Sequence, residues 1–333
     1  MVQVFLTVDT EIWPASSAIF TAPENSVVPS LEGAISTYLD GKTPSGSYGV
    51  PFQLDVLQRY GLRATYFVEP LFSRVAGRQH LVRLVKLIQD AGQEVQLHVH
   101  PEWIRLARLP GPSPEVRLLL REHSEEDQAS IIGLAVEVLH DAGARDLIAF
   151  RAGSYGANRA TLRALVKNDI RLDTSLNISH LGSACDIRTP ERVLQPTVIE
   201  GVREIPITCF ADRPGRLRPL QPCACSAQEM EAVLLRAAQS GWRSVVIVLH
   251  SVELLRRTSD MAVTGIGRPS SIVIHRFERL CRFLSEHRDL FRTVTFYEVD
   301  DTLFRDAPSP PALRSNVART AWRYVEQVAT RFV

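Results

Sequence analysis

The sequence lacks the signatures of several large classes of protein. Its five cysteines are an odd number and include no Cys-x-x-Cys pair, which predicts free thiols in a reducing compartment and no cysteine zinc site. The formal net charge of the 333 residues is only +1, so no overall field selects nucleic acid or a membrane as a partner. No apolar run approaches the roughly 20 residues that span a bilayer. We therefore expect a globular protein that binds no nucleic acid.

The N-terminus lacks a basic segment and a cleavage site, so we expect no signal peptide and predict a cytoplasmic protein. No internal repeat divides the chain. Residues 306–315 are rich in Pro and Ser and indicate a linker, and residues 316–332 have the spacing of a short helix. We accordingly predict a barrel domain over residues 1–305, followed by a linker and helix over residues 306–333.

The C-terminal helix has two interpretations. In the first, it packs on the body of the protein or on a second copy of the chain in a homo-oligomer. The alternative is peripheral contact with a bilayer, because aromatic and basic side chains are common in helices that lie at membrane surfaces. The residues that would make this contact are Trp322, Arg314, Arg319, Arg323 and Arg331.

Short apolar runs alternate with segments of helical periodicity along most of the chain. Seven or eight strands alternating with helices predict an α/β fold, a distorted (β/α)7–8 barrel. Two long irregular segments, residues 12–49 and 177–226, interrupt the pattern. The predicted strands are 2–11, 64–68, 94–100, 147–150, 172–176, 203–207, 244–250 and 293–296, and the predicted helices of the barrel are 50–61, 81–88, 124–143, 158–169, 228–240 and 270–287.

Ionisable residues stand at the carboxyl ends of several predicted strands. Because these ends meet at one rim of a parallel barrel, we expect the side chains to lie close together. Two imidazoles and a carboxylate are enough to hold Zn²⁺ or a similar ion with one position open. The residues at strand ends are Asp9, Glu11, His98, His100, Arg151, Asp173 and His250.

His98 and His100 are two residues apart on a strand, so both side chains point to the same face. Together with Glu11 they are the predicted metal ligands, and Glu102 is a reserve ligand. The sequence leaves open whether Asp9, Thr10 or Glu102 joins the metal shell. The other histidines fall on helices or loops and are expected at the surface: His80, His123, His140, His180, His275 and His287.

Five segments occur in an order that resembles the polysaccharide deacetylases of carbohydrate esterase family 4. The resemblance extends from about residue 2 to residue 300. It implies a distorted barrel and a divalent metal, zinc first, with cobalt or nickel as alternatives. The segments are Thr-Val-Asp-Thr at 7–10, Leu-His-Val-His-Pro-Glu-Trp at 97–103, Arg-Ala-Gly-Ser-Tyr-Gly at 151–156, Leu-Asp-Thr-Ser at 172–175 and Val-Leu-His-Ser at 248–251.

The resemblance also implies roles for individual residues. Asp9 would be the general base, and Arg151 would pair with it and keep it ionised. His250 would be the general acid, with Asp173 as a partner that raises its pKa. The backbone N–H near Tyr155 would stabilise the oxyanion.

The chain departs from the family pattern at specific positions. Thr10 stands where the family has a metal-binding Asp, and the second histidine, His100, comes two residues after the first instead of four. These changes resemble a divergent branch that occurs with O-antigen and surface-polysaccharide biosynthesis. The implied activity is removal of an N-acyl group from a nucleotide-linked or lipid-linked sugar. The alternatives are hydrolysis of a small non-sugar amide and an inactive glycan-binding homologue.

Overall fold

The predicted strands and helices occur in the predicted order, and further short elements lie between them, several of them in the segments expected to be irregular. The computed structural model describes residues 1–21, 26–107, 117–256, 258, 260–305 and 308–329. The strands of these residues are β1 (Val2–Thr10), β2 (Lys42–Thr43), β3 (Gly46–Ser47), β4 (Ala64–Val68), β5 (Glu94–Val99), β6 (Ala149–Ala152), β7 (Leu172–Asp173), β8 (Thr197–Ile199), β9 (Val202–Glu204), β10 (Cys209–Arg213), β11 (Arg216–Pro219), β12 (Ser244–His250), β13 (Leu255–Arg256), β14 (Arg268–Pro269), β15 (Phe291–Thr293) and β16 (Leu313–Arg314). The α-helices are α1 (Glu32–Ala34), α2 (Val50–Tyr60), α3 (Ser73–Ala76), α4 (Arg78–Asp90), α5 (Glu102–Leu106), α6 (Glu125–Asp141), α7 (Arg159–Lys167), α8 (Ala227–Gln239), α9 (Met261–Thr264), α10 (Ser271–Glu286) and α11 (Val317–Ala329).

The main sheet is parallel except at one edge. On one side β1 pairs with β12, and on the other it pairs with β15 through its first residues and with β4 through its last. The parallel order then continues through β5, β6, β7 and β9, and β8 pairs antiparallel with β9 at the edge. The parallel strands therefore direct their carboxyl ends to one rim, which is the rim where the sequence places the ionisable residues.

Residues 205–220, which include the β10–β11 hairpin, form a seam between the two ends of the curled sheet. At one end of this seam the N–H of Ile207 donates to the carbonyl of Leu176 at 2.9 Å, beyond the end of β7. At the other end the carbonyl of Leu220 accepts from the N–H of Val248 in β12 at 3.1 Å. The architecture is the distorted (β/α) barrel type predicted from the alternating pattern, with a curled parallel sheet that forms part of the barrel.

Alternate residues of β1 face two different cores, because side chains alternate along a strand. Val4, Leu6 and Val8 are buried in the larger core, which also holds the apolar faces of the surrounding helices. Phe5 lies in a smaller core inside the barrel, where its ring contacts Phe296 with 5.1 Å between ring centroids. The interior face of β1 thus leads from an aromatic core towards the polar residues at the strand's end.

Local signals in the sequence set several helix boundaries. The hydroxyl of Ser124 accepts from the N–H of Asp127 at 3.1 Å and caps α6, as the spacing predicts. Gly61 ends α2 with a φ of 61°, a left-handed conformation that glycine adopts without a steric penalty. These boundaries agree with the sequence prediction to within one or two residues.

The C-terminal part of the chain is integrated into the folded body. β16, within the segment predicted as a linker, pairs with β10. In α11 the side chain of Arg323 is fully buried, and its guanidinium binds Asp212 at 3.0 Å and Glu229 at 3.2 Å. The alternative interpretation, in which Arg323 lies at a bilayer surface, is wrong because the charge of Arg323 is paired inside the protein. Arg331 lies outside the described residues.

None of the helices in the described ranges combines the length and the apolar character needed to cross a bilayer.

Candidate metal centre and active site

Glu11, His98 and His100 form a buried cluster at the carboxyl rim of the barrel. One ligand atom from each lies within 4.8 Å of the others. The Nε2 atoms of His98 and His100 both face the same carboxylate oxygen, Oε2 of Glu11, at 3.3 and 2.7 Å. These three residues are the metal ligands predicted from the sequence, and the structure brings them together from the ends of β1 and β5.

The opposite ring nitrogen of each imidazole, Nδ1, faces an oxygen atom of the protein. Nδ1 of His98 lies 2.8 Å from the carbonyl oxygen of Arg151, and Nδ1 of His100 lies 3.4 Å from Oε2 of Glu102. Carbonyl and carboxylate partners of this kind orient metal-binding histidines in many proteins. Glu102 therefore lies outside the cluster of Glu11, His98 and His100, in a position to orient the ring of His100.

The unsatisfied atoms of the cluster fit a divalent ion. Nε2 of His100 is buried and has no well-directed hydrogen bond among the described residues, although it lies 2.7 Å from Glu11. A buried polar atom without a partner is costly, and an ion bound by both residues would satisfy it. Two imidazoles and one carboxylate form a donor set suited to Zn²⁺, Co²⁺ or Ni²⁺.

Glu11 and His100 shift each other's pKa, and each stabilises the charged form of the other. Burial alone would raise the pKa of Glu11, but the positive charge of His100 and the closeness of both imidazoles hold it well below its usual range. Burial would lower the pKa of His100, but the carboxylates of Glu11 and Glu102 raise it well above its usual range. Glu11 thus stays ionised, which is the form that binds a cation, whereas His100 must release its proton to bind one.

Gly153 allows the close approach of the backbone to His100. A Cβ added at Gly153 would lie 2.6 Å from Cε1 and Nδ1 of the imidazole. The next two residues, Ser154 and Tyr155, have φ angles of 53° and 58°. Such left-handed conformations in residues other than glycine are concentrated at functional sites. The 151–156 segment is therefore shaped to pass across the metal cluster.

We expect the Gly153→Ala variant to bind Zn²⁺ about 10- to 100-fold more weakly, because the added methyl group would displace the His100 ring. Titration of the metal-free protein with Zn²⁺ measures this effect. Gly241→Ala is a suitable control: Gly241 has a φ of 74° and open space around its Cβ position, so alanine there costs stability without touching the site. Equal zinc affinity in the two variants would contradict the role of Gly153.

Asp9 and Arg151 form a buried ion pair inside the barrel. Nη1 of Arg151 donates to Oδ1 of Asp9 at 2.6 Å, and Nη2 donates to the hydroxyl of Thr7 at 2.9 Å. The guanidinium also lies 4.6 Å from the centroid of the Phe67 ring. The pairing of Asp9 with Arg151 is the one that the sequence predicts. It holds one carboxylate oxygen of Asp9 and leaves the other directed towards β12.

His250 stands on the other side of Asp9. The two residues are paired in the register of β1 and β12, and Nε2 of His250 lies 4.0 Å from Oδ2 of Asp9. Nδ1 of His250 faces the amide nitrogen of Gln221 at 3.3 Å, and that amide donates to Glu253 at 2.8 Å. Neither Gln221 nor Glu253 was predicted, because Gln221 follows an irregular segment and Glu253 lies in a turn beyond the strand.

Asp173 has a different partner from the one expected. It accepts two hydrogen bonds from Ser175, from the hydroxyl at 2.7 Å and from the N–H at 3.0 Å. Burial raises the pKa of both Asp173 and Glu204, which are register partners on β7 and β9. The expected pairing with His250 is thus corrected: Asp173 is bound by Ser175, and the residue beside Nδ1 of His250 is Gln221.

Aromatic side chains surround the cluster. Burial, and after it the charge of Asp9, raise the pKa of the Tyr155 phenol above its usual range. The Tyr155 ring lies 5.5 Å from the imidazole of His180, and Trp13 meets His100 edge-on with 4.6 Å between ring centroids. His123 is buried and His80, His180 and His287 are half-buried, so their expected surface positions are wrong, whereas His140 and His275 are exposed as expected.

No pattern in the sequence could place His123 and His180, because both lie outside periodic segments. Apart from Asp173, the residues expected at strand ends surround one centre: Asp9, Glu11, His98, His100, Arg151 and His250.

Comparisons with known proteins show what this chain is similar to. No protein-family profile matches the chain, and no curated protein sequence does either. Among solved structures, a Mycobacterium smegmatis protein assigned as a polysaccharide deacetylase is 16% identical, with a TM-score of 0.51 over 93% of this chain and 94% of that one. A family 4 carbohydrate esterase from Streptomyces lividans in complex with acetate is 13% identical, with a TM-score of 0.42 over 92% and 98%.

A third similar structure is a family 4 pseudoenzyme from Bacillus anthracis, which is 11% identical, with a TM-score of 0.40 over 94% of this chain and 69% of that one. The match to the Mycobacterium smegmatis structure extends over nearly the whole of both chains, so it concerns the complete barrel. The fold of this chain is therefore that of the polysaccharide deacetylases, as its five sequence segments predict.

Proposed function

We propose that this protein is a metal-dependent hydrolase that removes an N-acyl group, acetyl in the first instance, from a sugar. The observation that carries the proposal is the position of the Asp9–Arg151 pair and His250 beside the cluster of two histidines and a glutamate. A base, an acid and a site for a Lewis acid thus meet at one rim. The shared fold with a protein assigned as a polysaccharide deacetylase supports the same reaction.

In the first half of the reaction Asp9 acts as the general base. It accepts a proton from the attacking water while the water oxygen bonds to the acyl carbon. Arg151 keeps Asp9 ionised and fixes its orientation through the 2.6 Å hydrogen bond. When bound by Glu11, His98 and His100, a divalent ion supplies a Lewis acid that polarises the acyl carbonyl and lowers the pKa of water.

In the second half His250 acts as the general acid. The C–N bond breaks, its electron pair goes to nitrogen, and Nε2 of His250 donates a proton to that nitrogen. The products are the carboxylic acid and the free amine. The turn at Tyr155 provides the backbone N–H that stabilises the negative oxygen formed in between. Gln221, which donates to Glu253, lies 3.3 Å from Nδ1 of His250.

The substrate proposed is an acylated amino sugar on its way to a surface polysaccharide, carried on a nucleotide or a lipid. Aromatic side chains of the 12–49 loop provide surfaces for a sugar ring: Trp13 beside His100, and the half-buried Tyr38 and Tyr48. The departures from the family motifs at Thr10 and His100 support a divergent member of the O-antigen type. Zinc is the proposed ion.

Release of acetate or formate from acylated amino sugars tests the proposal. We expect release from nucleotide-linked or oligomeric substrates in the presence of Zn²⁺, Co²⁺ or Ni²⁺, and its loss after chelation. Release only from small linear or cyclic amides would instead favour the alternative that the protein hydrolyses a small non-sugar amide. A protein that takes up no added Zn²⁺ and binds glycans without cleaving them would be an inactive homologue, and the proposal would be wrong.

A further inference from the structure

Helix α11 attaches to the body of the protein through its polar face. Thr320, Arg323 and Glu326, spaced by three residues, lie on this face. The hydroxyl of Thr320 donates to Glu229 at 3.0 Å, and Nη1 of Arg323 donates to the same oxygen at 3.2 Å. Nη2 of Arg276 in α10 donates to Glu326 at 2.5 Å. Charged hydrogen bonds, and not apolar burial, therefore hold this side of the helix.

Ala318, Ala321 and Val325 lie opposite this polar face and are open to solvent. Trp322 and Tyr324 border the polar face: the indole N–H of Trp322 donates to Glu326 at 2.8 Å, and the guanidinium of Arg323 lies 5.1 Å from the centroid of the Tyr324 ring. Trp322, Tyr324 and Val325 nevertheless have 49%, 43% and 56% of their surface exposed. A surface helix of a globular protein normally turns its apolar stripe to the core and its polar stripe to water. In α11 the arrangement is reversed, so the apolar stripe is available to a partner outside the described body.

Exposed arginines surround this helix. Arg314 precedes it and Arg319 lies in its first turn. Arg213 and Arg216 lie on the β10–β11 hairpin, which is beside α11 because Thr320 donates to the carbonyl of Asp212. No carboxylate of the described residues forms an ion pair with any of these four arginines. The local charge is thus positive, although the net charge of the whole chain is only +1.

We propose that α11 and the arginines around it bind the surface of an anionic lipid bilayer. An exposed apolar stripe with an aromatic anchor, flanked by unpaired basic side chains, is the pattern of a helix that lies in the headgroup region. The helix would rest on the bilayer with its exposed stripe, while its polar face stays attached to the barrel. The inference is independent of the proposed function, because vesicle binding needs no substrate.

A second copy of the chain fits this surface less well. Thirteen residues of helix are about 20 Å long and about 10 Å wide, so one face offers only about 200 Å². A stable protein interface needs about 800 Å² from each partner. A two-fold dimer through this face would also bring the unpaired arginines of both copies together. Anionic lipid headgroups instead supply the opposite charge.

Sedimentation of the full chain with vesicles tests the proposal. We expect the protein to sediment with vesicles of phosphatidylcholine and phosphatidylglycerol and to stay in solution with pure phosphatidylcholine. The Val325→Asp variant should bind at least about tenfold more weakly, because it places a charge in the apolar stripe. Arg213→Gln and Arg319→Gln should each weaken binding about fivefold at low salt.

The matched control is Val198→Asp. Val198 is 55% exposed, almost the same as Val325, but it lies on β8 away from α11. This variant should bind vesicles like the unchanged protein, and thermal unfolding verifies that each variant is folded. The proposal would be overturned by equal binding of Val325→Asp and Val198→Asp or by absence of vesicle binding. A dimer that Val325→Asp dissociates, without any vesicle binding, would assign the surface to a second copy instead.

Discussion

The Asp9→Asn variant is expected to lower the rate of acyl-group release by about 10² to 10⁴ while leaving KM nearly unchanged. Asparagine has the shape of aspartate but cannot accept the proton of the attacking water. Steady-state kinetics at saturating Zn²⁺, with the best substrate found in the release assay, measure the effect.

Measurements of stability and of metal content distinguish the loss of the general base in Asp9→Asn from unfolding and from loss of the metal. The variant leaves the buried charge of Arg151 without its carboxylate, so we expect the free energy of unfolding to fall by about 3 to 5 kcal/mol. Assays must therefore be made well below the unfolding temperature. Metal content should stay unchanged, because Asp9 is held by Arg151 and lies outside the Glu11 cluster. Loss of the metal would instead make Asp9 a ligand, and the base would have to be sought elsewhere.

His250→Ala gives the matching test of the acid. We expect a similar loss of rate, with the largest effect on substrates whose leaving amine is most basic, since these depend most on a proton donor. His275→Ala is the control, because His275 is an exposed histidine of α10. Normal turnover in His250→Ala would remove this residue from the mechanism.

The second large effect is expected for His98→Ala, which should lose most of its bound metal. Both nitrogens of His98 are committed, Nδ1 to the carbonyl of Arg151 and Nε2 to the cluster. Removing the ring leaves only Glu11 and His100, which are too few to hold the ion firmly. Metal content after dialysis against Zn²⁺ measures the loss, with His140→Ala, an exposed histidine, as the control. Full occupancy in His98→Ala would show that the ligands are wrong.

Glu102 distinguishes a ligand from an orienting residue. Because Glu102 faces Nδ1 of His100 at 3.4 Å and stands outside the three-residue cluster, Glu102→Gln should weaken metal binding about 10- to 100-fold without abolishing it. His100→Ala should lose the metal. The opposite result, with metal lost in Glu102→Gln and kept in His100→Ala, would identify Glu102 as the true ligand.

The strands and the residues at their ends could be predicted from the sequence for a physical reason. In a parallel sheet a side chain is placed by its distance from the strand end, and the register then aligns Asp9 with His250 and His98 with Arg151. The prediction failed where position depends on a loop. Gln221 follows the irregular seam and Glu253 lies in a turn, and neither has a periodic pattern that could place it beside His250.

The expected role of Asp173 failed for a different reason. Its place at a strand end was predicted, but a neighbouring carboxyl group, Glu204, comes from a strand far along the chain. For α11 the spacing of residues shows which side chains share a face, but not which face meets the body. Burial of the face with Arg323 follows from Asp212 and Glu229, whose proximity only the fold creates.

The two halves of the site come from segments with different tolerance to insertions and deletions. Glu11, His98 and His100 come from strands locked in register, so an insertion or deletion there would move every side chain to the opposite face. The seam is held by the β10–β11 ladder and by Asp212, which pairs with the buried Arg323. The stretch after β11, which begins at Gln221, belongs to no strand. A change of length there would alter the surroundings of His250 while the metal ligands keep their register.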